Sequence, residues 1–194
     1  MAKINFSTVV SVKKDGSGII MEITEQQADD IRQSAINRWK DIVRFVDLGL
    51  PSGKRWADRS YGAEYPDRYG ILYPFDDAQK LEFPDGVCMP TYDDYLELCR
   101  NTDWEWTKRN GINGYLVKSK VNDNSIFFPC SGNGNGQSWY NRGSYGYYWS
   151  SSLYSATNGR YLYFYSGGVS PQYYGNRFYG FAVRPVQTSF PNQE

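Results

Sequence analysis

The C-terminal third of the sequence is the feature that most restricts the fold, because it carries very little charge. No Lys, Asp or Glu occurs between residues 124 and 193, and the only charged side chains there are four arginines. The segment 131–186 consists largely of Tyr, Ser, Gly and Asn. Tyrosines that alternate along a chain are typical of strands, and Gly, Ser and Asn are typical of turns. We therefore expect short, closely spaced antiparallel strands in this segment.

The same composition also bears on function. Soluble proteins normally cover their surfaces with Lys and Glu, because these side chains are strongly hydrated. Tyr instead offers a large amphipathic contact area at a low cost in rotamer entropy, and Ser, Gly and Asn offer adaptable hydrogen bonding. A binding surface and an ordinary β-rich segment both explain the composition at this point.

The N-terminal 45 residues predict a β-hairpin followed by a helix. Residues 4–12 alternate weakly and predict a strand, and residues 19–23 (IIMEI) predict a second strand after an Asp-Gly-Ser-Gly turn. Thr24 is a predicted N-cap, with Gln27 as its capping-box partner, so a helix is expected over about residues 25–45.

Apolar residues spaced three and four apart give the predicted helix one continuous stripe. It comprises Ala28, Ile31, Ala35, Trp39, Ile42 and Phe45 or Val46. Two interpretations stay open for this stripe. It packs on the hairpin or the main domain, or it forms a seam between the subunits of a homo-oligomer, because a stripe of nearly heptad period can be shared.

The middle of the chain predicts a second helix and another hairpin. Thr91 is a predicted N-cap, and Asp93 and Asp94 occupy the first turn, where the helix dipole favours carboxylates. The buried side of this helix is expected to comprise Tyr95, Leu96, Leu98 and Cys99. The segments 115–121 and 125–130 flank an Asn-Asp-Asn turn and predict a hairpin. Further strands are expected near residues 146–151, 160–165 and 180–186.

Several function classes are disfavoured by what the sequence lacks. It has no His, and its three cysteines have no CxxC spacing, so buried free thiols are expected rather than a zinc site or a disulfide framework. Four dispersed arginines are too few for a nucleic-acid stripe. No signal peptide and no apolar run long enough to span a membrane are recognisable. We therefore expect no membrane insertion, and a virion component or a cytoplasmic protein rather than a Sec-secreted one.

An ordered set of short motifs carries a family resemblance. They read VDLGLPSG at 46–53, MPT at 89–91, NGY at 113–115, SIFFP at 125–129, GYYWSS at 146–151 and FAVRPV at 181–186. In this order they resemble C-type lectin-like domains, in particular the branch that contains the formylglycine-generating enzymes. The resemblance covers about residues 46–187 and leaves 1–45 as a separate hairpin-and-helix unit and 188–194 as a tail. It implies an α+β fold with few helices and short antiparallel strands, in which the first and last strands of the domain pair.

The same fold occurs in variable proteins of diversity-generating retroelements, which include phage tropism determinants. That resemblance implies a variable region, here 131–186, whose codons are mutated at adenines. The lack of Lys, Glu and Met in this region fits such codons, and Trp139 and Trp149 would then belong to the scaffold. Gln137 and Gln172 cannot arise from such codons, and the absence of Asp, which such codons allow, counts against the interpretation.

The enzymes of the resembled branch oxidise a substrate cysteine with cysteines of their own near the C-terminal strands. This chain has no cysteine after Cys130, so we expect no enzyme activity and no catalytic residues. The Glu-Pro-Asn, Gln-Pro-Asp and Trp-Asn-Asp signatures of calcium-dependent lectins are absent, and calcium needs six to eight oxygen ligands. We expect neither a metal site nor a cofactor.

The leading functional prediction is a ligand- or receptor-binding protein of a phage or bacterium, whose partner is a protein or glycan on a cell surface. The alternatives are a fixed, metal-independent carbohydrate-binding module and a structural protein without a ligand. The candidate contacts, expected to share one exposed face, are Asn133, Asn135, Tyr140, Arg142, Ser144, Tyr147, Tyr154, Asn158, Tyr161, Tyr173, Tyr174, Asn176 and Arg177. The residues expected to point inward are Tyr145, Tyr148, Tyr163 and Phe181, with Trp149 in the core.

Overall fold

The computed structural model describes residues 8–14, 17–23, 25–136 and 138–188. The helices are α1 (Glu25–Ile42), α2 (Phe75–Ala78) and α3 (Tyr92–Asn101). The strands up to the middle of the chain are β1 (Thr8–Lys14), β2 (Ser17–Ile23), β3 (Phe45–Asp47), β4 (Arg55–Ala57), β5 (Val87–Cys88), β6 (Thr102–Arg109), β7 (Ile112–Ser119) and β8 (Ser125–Pro129). The remaining strands are β9 (Asn133–Asn135), β10 (Ser138–Tyr140), β11 (Tyr145–Leu153), β12 (Asn158–Tyr165), β13 (Gly168–Asn176) and β14 (Val186–Gln187).

Five small sheets contain these strands, and neighbouring strands within each sheet are antiparallel. The predicted α+β class with few helices and short antiparallel strands is confirmed. Within the described ranges, no helix combines the length and the apolar composition that crossing a membrane requires.

The N-terminal hairpin is confirmed by the pairing of β1 with β2. Residues 4–7 of the predicted first strand, the tip at residues 15–16 and the predicted cap at Thr24 lie outside the described residues. The helix α1 ends at Ile42, three residues before the predicted end, because the chain turns there and Phe45 begins β3. The ring of Trp39 is only 1% exposed and lies 4.7 Å from that of Tyr61, so this end of the stripe packs on the main domain. The side chain of Ile31 is 60% exposed.

One sheet, in the order β3-β4-β14-β5, joins both ends of the segment 46–187. The expected direct pairing of the first and last strands is wrong, because β4 lies between β3 and β14, and Trp56 is the register partner of both Val46 and Val186. The cause is the tight turn closed by the bond from the Gly53 amide to the Leu50 carbonyl (2.9 Å). This turn brings β4 back alongside β3, so β14 pairs with β4 and not with β3.

The second helix and the central hairpin agree with the prediction. Thr91 caps α3, its hydroxyl accepting a bond from the Asp94 amide, and the Asp94 carboxylate accepts one from the Thr91 amide in return. Tyr95 and Leu98 on this helix are fully buried. The strands β6, β7 and β8 form one three-stranded sheet against which the helix and the last large sheet pack their apolar side chains.

The sheet β11-β12-β13 forms the C-terminal half of the domain. The strand β13 was not predicted, because its sequence GVSPQYYGN contains Pro and Gly. The structure accommodates Pro171 on this edge strand within a register shift, where a missing amide donor is tolerated. The predicted strand 180–186 is reduced to isolated bridges at residues 180–182 and to β14.

The inner face of this sheet closes the main core. Tyr148, Leu162 and Phe164 are completely buried there, and the ring of Phe164 lies directly over Gly146. Trp149 is also completely buried, as predicted, but it belongs to a second cluster with Phe75 and Phe181 on the other side of the sheet.

Arg184 is a core residue and not one of the dispersed charges of a surface. Its guanidinium is fully buried and donates to the carbonyls of Ala57 (3.1 Å) and Phe127 (2.5 Å), and it lies 4.4 Å from the centre of the Phe128 ring. Burial lowers the pKa of this guanidinium. Three arginines are therefore left near the surface of the C-terminal third.

Candidate functional site

The outer face of the sheet β11-β12-β13 is built almost entirely from tyrosines. Residues that oppose each other in an antiparallel pair project to the same side. The register pairs Tyr145 with Tyr165, Tyr147 with Tyr163, and Tyr161 with Tyr173. We call this surface the tyrosine face, and its members are Tyr145, Tyr147, Tyr161, Tyr163, Tyr165 and Tyr173.

The rings of the tyrosine face contact one another continuously. The ring centre of Tyr163 lies 4.6 Å from that of Tyr173, 5.3 Å from that of Tyr147 and 5.9 Å from those of Tyr145 and Tyr165. Tyr165 and Tyr173 are 42% and 47% exposed. Mutual packing holds the rings in place, so a partner would meet a surface that has already lost much of its side-chain freedom.

The hydroxyl groups of this face are largely uncommitted. Among the described residues, none hydrogen-bonds the hydroxyls of Tyr145, Tyr163, Tyr165 or Tyr173. Burial, helped by the neighbouring tyrosines, raises the pKa of Tyr163 to about 12, so this hydroxyl stays protonated near neutral pH. The face therefore presents neutral hydrogen-bond donors and acceptors on an apolar body.

A loop that contains the small hairpin β9–β10 borders the tyrosine face. Asn141 adopts a positive φ of 59°, and its side-chain amide donates to Asn133 Oδ1 (3.1 Å) and to the hydroxyl of Tyr147 (3.4 Å). Trp139 and Tyr140 project from this hairpin and are 55% and 50% exposed. The loop thus extends the tyrosine face beyond Tyr147.

Arg142 and Trp139 form a stacked pair on the same loop. The Cζ atom of Arg142 lies 3.8 Å from the centre of the Trp139 ring and 4.8 Å from that of Tyr69. Trp139 also borders a pocket of about 260 Å³. The other residues that line this pocket are Leu72, Pro74, Gly134, Gly136, Ser138, Phe178 and Gly180.

A second aromatic patch lies on the opposite face of the same sheet. Tyr174 follows Tyr173 and has Arg160 as its register partner, so it projects to the other side. Its ring stacks on that of Tyr154, with centres 3.7 Å apart and planes within 8°. The Arg160 guanidinium lies 4.2 Å from the centre of the Tyr92 ring and 5.0 Å from that of Tyr154.

Three further candidates hold turns together. Arg177 donates to the carbonyl of Ala156 (2.8 Å) and to the carboxylate of Asp76. The side-chain amide of Asn158 donates to Ser155 Oγ (3.1 Å), and the side-chain oxygen of Asn176 accepts from the amide of Phe178 (3.3 Å).

The predicted contact residues therefore do not share one face. The structure places seven of them on the tyrosine face or its bordering loop, namely Asn133, Asn135, Tyr140, Arg142, Ser144, Tyr147 and Tyr173. Tyr154 and Tyr174 lie on the opposite patch, and Asn158, Asn176 and Arg177 lie at the turns. The exposure expected for Tyr161 is wrong: it is 8% exposed, because Phe181 covers that end of the tyrosine face at a ring distance of 4.7 Å.

The predicted inward positions also need correction. Tyr145 and Tyr163 lie on the tyrosine face, because Tyr145 is three residues from the buried Tyr148 and must project to the other side of β11. Trp139 is exposed and so is not part of the buried scaffold. Tyr165 and Tyr69 were missed, although the strict alternation at residues 161, 163 and 165 would have assigned all three tyrosines to one face.

The cysteines are poorly suited to nucleophilic chemistry. The structure contains free thiols at Cys88 and Cys99, both half-buried, and at Cys130, which is buried. Burial raises the pKa of Cys99 and that of Cys130 to about 12, which keeps both as thiols near neutral pH, whereas reactive cysteines are thiolates. In the described ranges, His, Cys, Asp and Glu form no cluster of three or more that could hold a metal ion.

Comparison with known proteins gives one match. Residues 113–186 match a family that is described only as a domain of unknown function (DUF8237). This range begins within β7 and includes the complete tyrosine face and the bordering loop. No curated protein and no solved structure matches the chain.

Proposed function

We propose that this protein binds a ligand on the surface of a cell, through the tyrosine face and the loop that contains Trp139. The observation that carries the proposal is the tyrosine face itself. Six tyrosines pack ring to ring there, and four of their hydroxyls bond no described residue. Exposed aromatic clusters of this kind are uncommon on surfaces that bind nothing.

Both the chemistry and the stiffness of this face suit recognition. Tyr and Trp are enriched in binding interfaces because they combine a large contact area with a polar tip. No Lys, Asp or Glu lies between residues 124 and 193 to surround these rings with strongly bound water. Ring-to-ring packing lowers the entropy that a partner must overcome when it binds.

For the finer fold we propose the C-type lectin-like arrangement. The sheet β3-β4-β14-β5 supports it, because it brings both ends of the segment 46–187 together. Residues 1–45 remain a separate unit in this proposal. The exposed Ile31 on the free part of α1 is compatible with a homo-oligomer formed through this helix.

Diversification by a retroelement is a separate part of the proposal, and the gene neighbourhood tests it. We expect a reverse-transcriptase gene beside a near-copy of the codons for residues 131–186 that differs only at adenines. If no such copy exists, the diversification proposal is wrong. The binding proposal is tested separately, by the binding experiment below.

The binding experiment uses fluorescently labelled protein on a panel of bacterial cells. Tyr173→Ala removes an exposed ring of the tyrosine face, and Tyr65→Ala removes a ring of similar exposure (54%) outside residues 131–186. The comparison requires that the melting temperatures of both variants match that of the wild type. We expect Tyr173→Ala to weaken binding by about tenfold or more, as the loss of an interface anchor does, and Tyr65→Ala to bind like the wild type. Equal binding by all three proteins would contradict the proposal.

The alternative of a fixed carbohydrate-binding module is favoured by one observation, the exposed indole ring of Trp139. Flat aromatic rings can stack on sugar rings without a metal ion. A glycan array in the presence of EDTA would separate the two functions. Metal-independent binding to one class of glycan, lost in Trp139→Ala, would replace the protein-ligand proposal.

A further inference from the structure

We propose that Arg142, Trp139 and the adjoining pocket form an anchoring subsite for a protein ligand. Arg142 takes an Asp or Glu side chain of the partner, and the pocket takes an apolar side chain next to it. This inference rests on the proposed binding function and names the chemistry of the partner.

The guanidinium of Arg142 is held in place but is not used by the protein itself. It stacks on Trp139 at 3.8 Å and on Tyr69 at 4.8 Å. Among the described residues, none forms an ion pair or a hydrogen bond with this guanidinium. By contrast, Arg177 and Arg184 both donate to carbonyls of the protein. Stacking leaves the N–H edge of Arg142 available in a fixed orientation, which is the geometry that binds a carboxylate with two parallel bonds.

The local charge favours an anionic partner. Residues 124–193 contain no Asp or Glu that could neutralise the charge of Arg142. Arg68 adds to the positive charge near Tyr69. Burial raises the pKa of the Tyr69 hydroxyl, and the guanidinium groups of Arg142 and Arg68 both act in the opposite direction and lower it. Partial burial also removes part of the hydration of the Arg142 guanidinium and thereby lowers its pKa. A carboxylate would restore the lost interactions.

The pocket distinguishes an apolar side chain from a sugar. Its walls are the side chains of Trp139, Phe178, Leu72 and Pro74, and among the described residues Ser138 alone lines it with a side-chain hydroxyl. Two of the three glycines that line it, Gly134 and Gly180, bond each other through both amides (2.8 and 2.9 Å), so neither of these two has a free amide donor.

A sugar would leave most of its hydroxyls without partners in this pocket, which is costly. A volume of about 260 Å³ is smaller than most small-molecule sites but has room for one apolar side chain. The occupant is therefore a protein segment in which an acidic residue lies next to an apolar one.

The test begins with a phage-displayed random peptide library, selected on immobilised wild-type protein. We expect the enriched peptides to carry Asp or Glu beside Leu, Ile, Phe or Trp. The most enriched peptide is then synthesised twice, once with its acidic residue and once with the corresponding amide. Affinities for both forms are measured by fluorescence anisotropy on the wild type and on variants whose melting temperatures match it.

Two variants separate the two halves of the subsite. On the wild type the acidic peptide should bind about tenfold or more tightly than its amide form, because a hydrogen bond between charged groups is lost in the latter. Arg142→Gln should remove this preference. A Cβ atom at Gly134, which lines the pocket, would meet its nearest neighbour Leu72 at an ordinary 3.7 Å. Gly134→Val should therefore occupy part of the pocket, weaken both forms equally and keep the preference for the acid.

Three results would overturn the inference: enrichment of peptides without acidic residues, equal affinity of the acidic peptide for wild type and Arg142→Gln, or no enrichment at all. Binding of a carboxylated glycan through Arg142, with no peptide bound, would also overturn it. Failure of the binding proposal looks different. If cell binding depends on Tyr173 and not on Arg142, the subsite is wrong and the binding function stands, whereas dependence on neither residue removes the function as well.

Discussion

Gly146 gives a sharp test of how β11 is oriented. A Cβ atom added at this position would lie 2.0–2.4 Å from three atoms of the Phe164 ring, whereas ordinary contacts begin at 3.4 Å. The ring is completely buried between Tyr148 at 5.8 Å and Tyr115 at 5.6 Å, so it cannot swing into solvent. Gly146→Ala therefore overpacks the core.

The expected loss in free energy of unfolding is about 2 kcal/mol. Overpacking of a core costs about 1–3 kcal/mol, and a clash this close lies toward the upper end. Replacing Gly by Ala regains about 0.4–1 kcal/mol from the unfolded chain, because the φ of Gly146 is not positive. Urea denaturation followed by far-UV circular dichroism measures the difference.

Gly134→Ala is the matched control, because its Cβ would meet its nearest neighbour, Leu72, at an ordinary 3.7 Å. We expect a change within about 0.5 kcal/mol for it. Adding Phe164→Leu to Gly146→Ala should cost less than the sum of the two single changes, since the smaller side chain removes the clash. If Gly146→Ala is as stable as Gly134→Ala, the assignment of faces on β11 is wrong, and so is the tyrosine face.

Three further predictions concern stability. Trp149→Ala should lower the free energy of unfolding by about 3–5 kcal/mol, because the ring is fully buried and its indole N–H donates to the Tyr73 carbonyl (2.8 Å). Trp139→Ala, at an exposed position, should lower it by less than about 1 kcal/mol. Equal losses in chemical denaturation would contradict this prediction. Burial raises the pKa of Tyr148 and of Tyr163 to about 12, above the ordinary value of 10. Their protonated hydroxyls therefore contribute fully to stability below pH 10, and this contribution declines as the pH rises through about 12. A melting temperature that stays constant from pH 9 to about pH 12 would refute this prediction. EDTA should leave the melting temperature unchanged, because the His, Cys, Asp and Glu side chains of the described residues form no cluster that could hold a metal ion. A fall of several degrees on chelation would contradict this prediction.

Features set by neighbouring residues were predictable from the sequence. The cap at Thr91 follows from the side chains of one helical turn, and the hairpin β7–β8 follows from a turn between two strand-like segments. The strand β13 was not predictable in this way. Its Pro171 disfavours a strand locally and is tolerated only because β13 lies at the edge of the sheet.

The candidate site was predicted in composition but not in geometry. Alternation along a strand assigns residues to two faces, but it cannot say which face is covered. Tyr161 and Tyr163 lie on the same face, but Phe181 and Trp149 pack on Tyr161, at ring distances of 4.7 and 5.7 Å, whereas Tyr163 is left half-exposed. Arg184 is buried because two distant carbonyls, those of Ala57 and Phe127, converge on it. Both outcomes depend on contacts between residues far apart in the chain.

The most direct test of the binding face compares two adjacent residues. Tyr173 and Tyr174 are 47% and 50% exposed on the same strand, but they project to opposite faces of the sheet. Each single alanine variant is measured for binding to the same cells as the wild type, after its fold has been checked by a melting curve. We predict that Tyr173→Ala loses binding by about tenfold or more while Tyr174→Ala binds like the wild type. Loss of binding in Tyr174→Ala alone, or in neither variant, would contradict the assignment of the tyrosine face as the binding surface.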